Sequence, residues 1–344
     1  AIGSASNGTV GCTGEPVAPP VDALPMALPP PAQPTVPLDV LVMVKEMGCV
    51  TDQSVSALRN HVRPHTIHIV ADRCEGGGSG GGSVKVDTCT ETRNVMPEFP
   101  LEMAKQLMAA LHPEVPAERT EWLYQQLLKF KSVLSLGLGT SVLVWDGDTV
   151  LTRPFPLPLL DERGTALLLQ GTRYDSPAYF NKSGALPVGY AESTRKLLGV
   201  SPPWDTSFVV QWQVWERALV KEMTRLIESR SHEPWYLAML RSVSDASTGL
   251  SEYTLYGTYA TQWHAERIRV ASSSEVLWLR DHPLGLLDGD GTCCPSQERL
   301  RDIAAGGFVY VSWECSHKSE SRLLPELWDR AGTGPLARRR RLEN

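Results

Sequence analysis

Residues 38–44 of this chain read LDVLVMV, and together with the residues up to position 70 they decide the fold. The run is apolar except for Asp39 and has the length of a buried β-strand. A helical pattern follows over residues 51–63, and TIHIV at residues 66–70 predicts a second strand. A strand, a helix and a strand in this order indicate a right-handed βαβ unit with a parallel sheet.

The alternation of helices and strands continues along the chain. We predict further helices over residues 116–135, 191–198 and 215–229, and further strands over residues 141–145, 267–271 and 308–313. The expected fold class is therefore α/β, in a single domain. The sequence shows no internal repeat.

Composition divides the chain into three segments. Residues 1–37 are predicted to be a disordered stem, because their proline- and alanine-rich part cannot build a packed core. Residues 38–330 form the predicted folded domain, which contains a flexible loop, GGGSGGGS, at residues 76–83. Residues 331–344 include four consecutive arginines and are predicted to be a flexible basic tail.

The charge and hydropathy of the chain restrict its partners. The formal net charge is −6 over 344 residues, so the broad basic surface that nucleic acid requires is not expected. No apolar stretch approaches the roughly 20 residues that cross a bilayer. Because the sequence begins at Ala1 rather than Met, we expect that an upstream segment has been removed, and that the chain meets a membrane only through an anchor in it.

Seven cysteines are too few for a disulfide scaffold in a chain of this length. Cys74 and Cys89 bracket the glycine-rich loop, so we predict a disulfide between them and another at Cys315, with free buried thiols as the alternative. N-glycosylation acceptors begin at Asn7 and Asn181. These features favour a glycoprotein of the secretory route.

The sequence VLVWDGDTVL at residues 142–151 carries the strongest chemical signal. An apolar strand ends there in two carboxylates, Asp146 and Asp148, separated by Gly147. Ligands of open α/β sheets bind beyond the carboxyl ends of the strands. Two aspartates at that place predict an oxygen-only site for Mn²⁺ or Mg²⁺, which would stabilise a diphosphate leaving group. Gly147 is expected to let the backbone approach a bulky ligand closely.

The same segment also fits a surface turn, because Asp-Gly is a favoured turn pair. A second copy of the pattern, Asp288-Gly289-Asp290, is followed by two cysteines and a proline. It does not have the ligand positions of a calcium-binding loop, so we interpret it as a loop turn.

Three blocks of the sequence resemble glycosyltransferases of the GT-A type. VWDGDTVLTRP at residues 144–154 is similar to the D-x-D-T segment of these nucleotide-sugar transferases. RTEWLYQQLLK at residues 119–129 and SEYTLYG at residues 251–257 resemble the R-x-x-W-x-x-Q-Q-x-x-K and S-E-Y-x-x-Y-G blocks of one uncharacterised GT-A family. The blocks follow each other in that family's order. One departure is Trp145, where an aliphatic or small residue is usual.

The resemblance implies that residues 38–330 form a single GT-A-like catalytic domain with a Rossmann-type mixed sheet flanked by helices. It also implies a metal-dependent hexosyl- or pentosyltransferase. The donor would be a nucleotide sugar, with a UDP-sugar favoured, and the acceptor a glycan or a glycoprotein. Asp146 and Asp148 would hold Mn²⁺ or Mg²⁺, and the donor would contact Gln126, Lys129, Asp146 and Gly147. A proline-rich stem is common in Golgi glycosyltransferases, so the resemblance also implies the Golgi lumen. The alternative interpretation of Lys129 is a solvent-exposed lysine on the helix with no role in donor binding.

Many GT-A enzymes supply a third metal ligand as a histidine near the C-terminus. The candidates here are His264, His282 and His317. We favour His317, because the strand predicted before it would end beside Asp148 if the two strands ran parallel. Lys318 follows directly and is expected to contact a phosphate of the donor.

Two carboxylates are candidates for a general base. Glu252 precedes Tyr253, Tyr256 and Trp263, which are expected to form a stacking wall for a sugar. The alternative for Glu252 is a helix start capped by the preceding serine. Asp205 is the second candidate, and its alternative is a loop or helix cap.

Two other classes of function also fit the sequence. A metal-dependent hydrolase would use the same carboxylates, although it usually has more His and Asp ligands. A non-catalytic carbohydrate-binding protein would use the Trp and Tyr residues for stacking, although these are spread through an α/β pattern and not a compact β-sandwich.

Overall fold

The computed structural model describes residues 38–74, 87–161, 168–173, 187–244, 249–272, 274–280 and 294–313. The strands are β1 (Asp39–Met43), β2 (Ile67–Ala71), β3 (Thr88–Glu91), β4 (Ser141–Asp146), β5 (Thr149–Leu151), β6 (Leu168–Arg173), β7 (Thr206–Ser207), β8 (Trp212–Glu216), β9 (Arg269–Ser272), β10 (Trp278–Arg280) and β11 (Tyr310–Ser312). The helices are α1 (Cys49–His61), α2 (Thr92–Val95), α3 (Leu101–Leu111), α4 (Ala117–Ser135), α5 (Val188–Leu198), α6 (Arg217–Ser231), α7 (Trp235–Ser242), α8 (Glu252–Trp263) and α9 (Gln297–Ala305).

Five strands form the central sheet in the order β3-β2-β1-β4-β8. Neighbours run parallel from β3 to β4, and β8 runs antiparallel to β4. The predicted βαβ unit is confirmed, because β1 and β2 pair in parallel on either side of α1 in the chain. The sheet is mixed and flanked by helices, so the predicted mixed α/β fold class is confirmed as well.

Alternate residues of β4 face two different hydrophobic cores. Val142 and Val144 belong to the core built with α4, α6 and α8. Leu143 and Trp145 belong to the core on the other face, which contains α1 and the three-stranded sheet β10-β11-β5. All four side chains are fully buried. Burial on both faces is the reason why this strand has no charged residue before Asp146.

Two predicted elements need correction. The helix predicted over residues 215–229 begins only at Arg217, because Trp215 belongs to β8 and stacks on Phe130 and Tyr256 at centroid distances of 4.6 and 5.3 Å. The strand predicted over residues 308–313 is shorter and lies outside the central sheet. It is β11, which pairs in parallel with β10 and antiparallel with β5.

Two disulfides join described residues. The predicted Cys74–Cys89 disulfide is confirmed, and a second one that was not predicted links Cys49, the first residue of α1, to Cys294. In the described ranges, no helix combines the length and the apolar composition needed to cross a membrane. Several predictions concern residues outside these ranges: the stem, the glycine-rich loop, the tail, Cys315, the acceptors at Asn7 and Asn181, and the turn at Asp288-Gly289-Asp290.

Candidate functional site

A cavity of about 840 Å³ lies at the carboxyl ends of β1 and β4. Met43 and Asp146 are the last residues of these two strands, are paired in register, and both line the cavity. Gly147 and Asp148 follow directly and complete this side of the wall. The carboxylates predicted from the sequence therefore lie at the edge of the sheet where α/β proteins bind their ligands.

One face of α4 forms another wall of the cavity. The residues that line it are Arg119, Trp122, Gln125, Gln126 and Lys129. Their spacing of three or four residues puts them on the same side of a helix. These are the five residues that the R-x-x-W-x-x-Q-Q-x-x-K resemblance specifies, so the whole block faces the cavity. The Arg119 guanidinium lies over the Trp122 ring, 3.4 Å from its centroid.

The start of α8 supplies a third wall through Ser251, Glu252 and Tyr253. The Ser251 hydroxyl accepts a hydrogen bond from the Thr254 backbone N–H at 3.1 Å, so the predicted helix cap is confirmed. Glu252 is the first residue of the helix and is buried at the cavity. Ser251 can therefore cap α8 while Glu252 lies at the cavity.

The remaining residues of the S-E-Y-x-x-Y-G block have a packing role. Tyr256 is fully buried, and its hydroxyl accepts a hydrogen bond from the Glu216 backbone N–H at 3.0 Å. A Cβ on Gly257 would lie 2.5 Å from the Phe208 ring, so α8 packs against that ring only with glycine at this position. Trp263 is at the other end of α8 and does not line the cavity. The predicted stacking wall is therefore wrong for Tyr256 and Trp263, and Tyr253 alone remains at the cavity.

A buried ion-pair network joins the three walls. The Lys129 ammonium lies 2.5 Å from Asp146 Oδ1 and also donates to Glu252 Oε1. The Tyr253 hydroxyl donates to the same Asp146 Oδ1 at 2.9 Å, and the Lys129 ammonium lies 4.3 Å from the centroid of the Tyr253 ring. Lys129 is 6% exposed and is thus not the solvated lysine of the alternative interpretation. The network uses Oδ1 of Asp146 and fixes the orientation of this carboxylate.

Burial and nearby charges shift the pKa values of three groups in this network. Burial alone would lower the pKa of Lys129, but Asp146 and Glu252 outweigh it and raise that pKa, so the ammonium stays charged. Burial raises the pKa of Glu252, and Lys129 counteracts that increase. Burial and the nearby Asp146 raise the pKa of Tyr253 well above its ordinary value, so its hydroxyl remains a hydrogen-bond donor.

Gln126 connects α4 to α8 through its amide oxygen. Its Oε1 accepts a hydrogen bond from the Glu252 backbone N–H at 2.9 Å. The side chain is 2% exposed, and its Nε2 has no hydrogen-bond partner among the described residues. A buried amide nitrogen of this kind at a cavity wall is suited to donate to an oxygen of a ligand.

The structure shows that Gly147 has a packing role at the end of β1. A Cβ on Gly147 would lie 2.0 Å from Val44 Cγ1 and 3.0 Å from the Met43 carbonyl oxygen. The Gly147 N–H donates to the same carbonyl at 3.1 Å. Gly147 therefore packs closely against the end of β1, and its predicted close approach to a ligand stays a prediction.

Replacing Gly147 and Gly48 by serine in separate variants tests this packing. We expect Gly147→Ser to lower the free energy of unfolding by about 1–3 kcal/mol, because the added Cβ overpacks the contact with Val44 and Met43. A Cβ on Gly48 has nothing within 4 Å, and the residue caps α1, so Gly48→Ser should lie within about 0.5 kcal/mol of wild type or above it. Urea unfolding measures both, and equal stabilities would contradict the packing role.

Trp145, the departure from the family pattern, has its side chain on the other face of the sheet. Its indole N–H donates to Ser54 Oγ and to the Thr149 carbonyl, each at 2.9 Å. Ser54 Oγ itself donates to the Thr149 carbonyl at 2.6 Å. These contacts hold the first residue of β5, directly after Asp148, without occupying the cavity.

The structure does not bring every predicted residue to the cavity. Asp205 accepts a hydrogen bond from Thr206 Oγ1 at 3.1 Å and is not among the lining residues. His264 ends α8 and lies 3.5 Å from Glu222. The structure therefore gives Asp205 and His264 no place in this site.

The other candidates, His282, His317 and Lys318, lie outside the described ranges. The strand before His317 does end next to Asp148, although it is not parallel to β4 in the central sheet. The Trp313 backbone N–H donates to the Asp148 carbonyl at 2.7 Å. The assignments of His317 and Lys318 stay predictions.

Asp146 and Asp148 are the two carboxylates at the end of β4, and Glu46 and Glu252 also line the cavity. Among the described residues, no group of three or more His, Cys, Asp or Glu side chains could hold a metal ion by itself. Asp146 and Asp148 are hard oxygen ligands, and the network uses only Oδ1 of Asp146. Four carboxyl side chains line the cavity, together with three cationic ones, Lys45, Arg119 and Lys129. The oxygen ligands of Asp146 and Asp148 fit a divalent cation.

Sequence reasoning missed Gln211. It lines the cavity, is 6% exposed, and has a left-handed backbone conformation with φ +69°. Its carbonyl accepts a hydrogen bond from the Asp146 backbone N–H at 3.0 Å. Its sequence neighbours, Val210 and Trp212, are apolar and contain no turn signal, so nothing in the sequence indicates this conformation.

Comparison with known proteins gives one family and a distant structural likeness. A family model described as "Family of unknown function (DUF6492)" matches residues 83–275. No curated protein sequence matches the chain significantly. The solved structures that match include the apo form of mouse xyloside xylosyltransferase 1, with 12% identity, 82% of this chain and 99% of that chain covered, and a TM-score of 0.39. A TM-score this low decides neither the fold nor the activity.

Proposed function

We propose that this chain, which belongs to the family of unknown function DUF6492, is a metal-dependent glycosyltransferase. It would transfer a hexose or pentose from a nucleotide-sugar donor, with a UDP-sugar favoured, to a hydroxyl group of a glycan or glycoprotein. The proposal rests on the contents of one cavity and on the resemblance of three sequence blocks to GT-A enzymes.

The convergence of the three blocks carries the proposal. Residues 119–129, 144–154 and 251–257 are far apart in the chain, and each contributes side chains to the same cavity. Its volume of about 840 Å³ is within the range of about 300–1,000 Å³ that is typical of small-molecule sites. If the three blocks only stabilised the fold, we would not expect all of them to line one cavity of the size of a small-molecule ligand.

A divalent cation, Mn²⁺ or Mg²⁺, fits this site and would be held by Asp146 and Asp148. Bound there, it would offset the negative charge of a diphosphate leaving group. Phosphate oxygens would complete the ligand set that two carboxylates begin. His317 remains our proposal for an additional ligand, and Lys318 for a phosphate contact.

The described side chains would prepare the site for the donor. Lys129 and Tyr253 hold Oδ1 of Asp146 and thereby orient this carboxylate. Glu252 is the second partner of Lys129, so the geometry supports a positioning role for it ahead of the general-base role. Gln126 is held by the Glu252 backbone and would donate through Nε2 to an oxygen of the donor.

A secretory location, in the Golgi lumen, remains part of the proposal. Two disulfides, Cys49–Cys294 and Cys74–Cys89, support it, because disulfides persist in oxidising compartments and are rare in the cytosol.

A hydrolysis panel tests the proposed function without knowledge of the acceptor. The chain is incubated with UDP-glucose, UDP-galactose, UDP-xylose, UDP-N-acetylglucosamine and GDP-mannose, with Mn²⁺ or with a chelator. We expect slow release of the nucleoside diphosphate from one donor, at least about tenfold faster with the metal, because the cation stabilises the leaving group.

The other outcomes separate the rival functions. Cleavage of phosphate esters or glycosides that contain no nucleotide would support a metal-dependent hydrolase. Binding of free glycans, with no nucleotide sugar consumed, would support a carbohydrate-binding protein. Either result would remove the proposed transferase.

A further inference from the structure

The C-terminal end of α8 carries an exposed aromatic ring outside the cavity. Trp263, the last residue of α8, is 41% exposed and does not line the cavity, whereas Glu252 at the start of the helix does. The helix has 12 residues, so its two ends lie roughly 16 Å apart. A sugar ring in contact with Trp263 would therefore lie outside the cavity.

Tyr259 supports the Trp263 ring. The two rings stack with 5.0 Å between their centroids, and Tyr259 itself is only 6% exposed. The Tyr259 hydroxyl donates to Glu222 Oε2 at 3.4 Å. Burial and the nearby Glu222 raise the pKa of Tyr259 to about 12, so the hydroxyl keeps its proton and this hydrogen bond. The exposed indole is therefore held against a ring that is itself buried and hydrogen-bonded.

Two polar side chains lie next to the stacked rings. The centroids of the His264 and Tyr259 rings are 5.7 Å apart, and His264 Nε2 lies 3.5 Å from Glu222 Oε2. The Glu222 side chain is 53% exposed, and its contacts with Tyr259 and His264 use Oε2. Oε1 can therefore accept a hydrogen bond from a ligand. An apolar ring surface and a carboxylate oxygen are thus presented together.

This combination fits a sugar ring. A pyranose has an apolar face of C–H groups, which packs on an aromatic side chain, and a rim of hydroxyl groups, which donate to a carboxylate. A protein partner would instead need a larger apolar patch. The residues near Trp263 in the chain do not supply one, because Gln262, Glu266 and Arg267 are exposed and polar.

We propose that the end of α8 is a second carbohydrate-binding site, formed by Glu222, Tyr259, Trp263 and His264. It binds one sugar ring of a glycan outside the cavity, by stacking on Trp263 and by hydrogen bonds to Glu222. The inference goes beyond the proposed function, because this contact involves neither the donor nor the metal. In the proposed transferase, the site would hold an acceptor glycan by a sugar other than the one that receives the transferred sugar.

An array of immobilised N-glycans, O-glycans and glycosaminoglycan oligosaccharides tests the site. The wild type should bind at least one of these glycans in the presence of a chelator, because the site uses no metal. The oligosaccharide that binds best is then titrated by calorimetry. Trp263→Ala should bind it at least about tenfold more weakly, because the stacking surface is lost. Trp204→Ala is the control, since Trp204 is 76% exposed and lies outside α8, and it should bind like the wild type.

Glu222→Gln is the second variant, in case Trp263→Ala lowers the melting temperature. The amide keeps an oxygen that can accept from Tyr259, and a change at this exposed position should leave the melting temperature close to that of the wild type. Glycan binding should weaken by at least about threefold, because a charged hydrogen-bond acceptor is lost. Wild-type affinity in Trp263→Ala, or in a Glu222→Gln protein tested for that reason, would overturn the inference.

The array and the hydrolysis panel fail separately. A wild type that binds a glycan through Trp263 and consumes no nucleotide sugar would support the inference and contradict the proposed function. A wild type that consumes a nucleotide sugar and binds no glycan on the array would overturn the inference and leave the proposed function intact.

Discussion

The Asp148→Asn variant is expected to lose at least about a hundredfold in turnover of the nucleotide sugar and to unfold at the same temperature as the wild type. The change removes a charged ligand oxygen, and the metal contribution that depends on it amounts to several kcal/mol at the transition state. The Asp148 carbonyl, which accepts from the Trp313 N–H, is unaffected by the change.

Asp205→Asn is the matched control for this measurement. Asp205 was a candidate base from the sequence, but it does not line the cavity, so the variant should turn over the donor at the wild-type rate. Hydrolysis rates at saturating Mn²⁺ and the melting temperature are measured for both proteins. Full activity of Asp148→Asn would contradict the metal-site assignment. Loss of activity only in Asp205→Asn would show that the reaction takes place outside this cavity.

Lys129→Met should cause the largest loss of stability, about 3–5 kcal/mol in the free energy of unfolding. The substitution leaves the Asp146 and Glu252 carboxylates without the buried ammonium that neutralises them, and uncompensated buried charge is strongly destabilising. Urea unfolding followed by circular dichroism measures the change.

Lys131→Met provides the control from the same helix. Lys131 pairs with Glu98 at the surface, and such pairs contribute at most about 1 kcal/mol. The double variant Lys129→Met/Glu252→Gln should recover part of the lost stability, because it removes one of the two unpaired charges. A Lys129→Met protein as stable as Lys131→Met, or a double variant with no recovery, would show that the network is not the source of the effect.

Strands buried on both faces were predictable from the sequence, because β1 is apolar after Asp39 and β4 is apolar between Ser141 and Asp146. The boundary between β8 and α6 was not. Trp215 and Leu219 are four residues apart, so the helical spacing of α6 extends backwards into the strand. Pairing with β4 and stacking of Trp215 on Phe130 decide that boundary, and neither contact is local in sequence.

The sequence predicted the residues of the site better than their roles. Asp146, Gln126, Lys129 and Glu252 were all candidates, and all of them line the cavity. The ion pair between Lys129 and Glu252 spans 123 positions, and no pattern in the sequence indicates it. Gln211 could not be found, because a left-handed φ at a glutamine follows from hydrogen bonds to distant groups.

Metal-dependent binding of a nucleotide is the most direct test of the central claim, that Asp146 and Asp148 form a cation site for the donor diphosphate. UDP and GDP are titrated into the wild-type protein by calorimetry, with Mn²⁺ and with a chelator. We expect one of them to bind in the presence of Mn²⁺ and to bind at least about tenfold more weakly without it. Binding of equal strength in both conditions, or no binding of either nucleotide, would contradict the account.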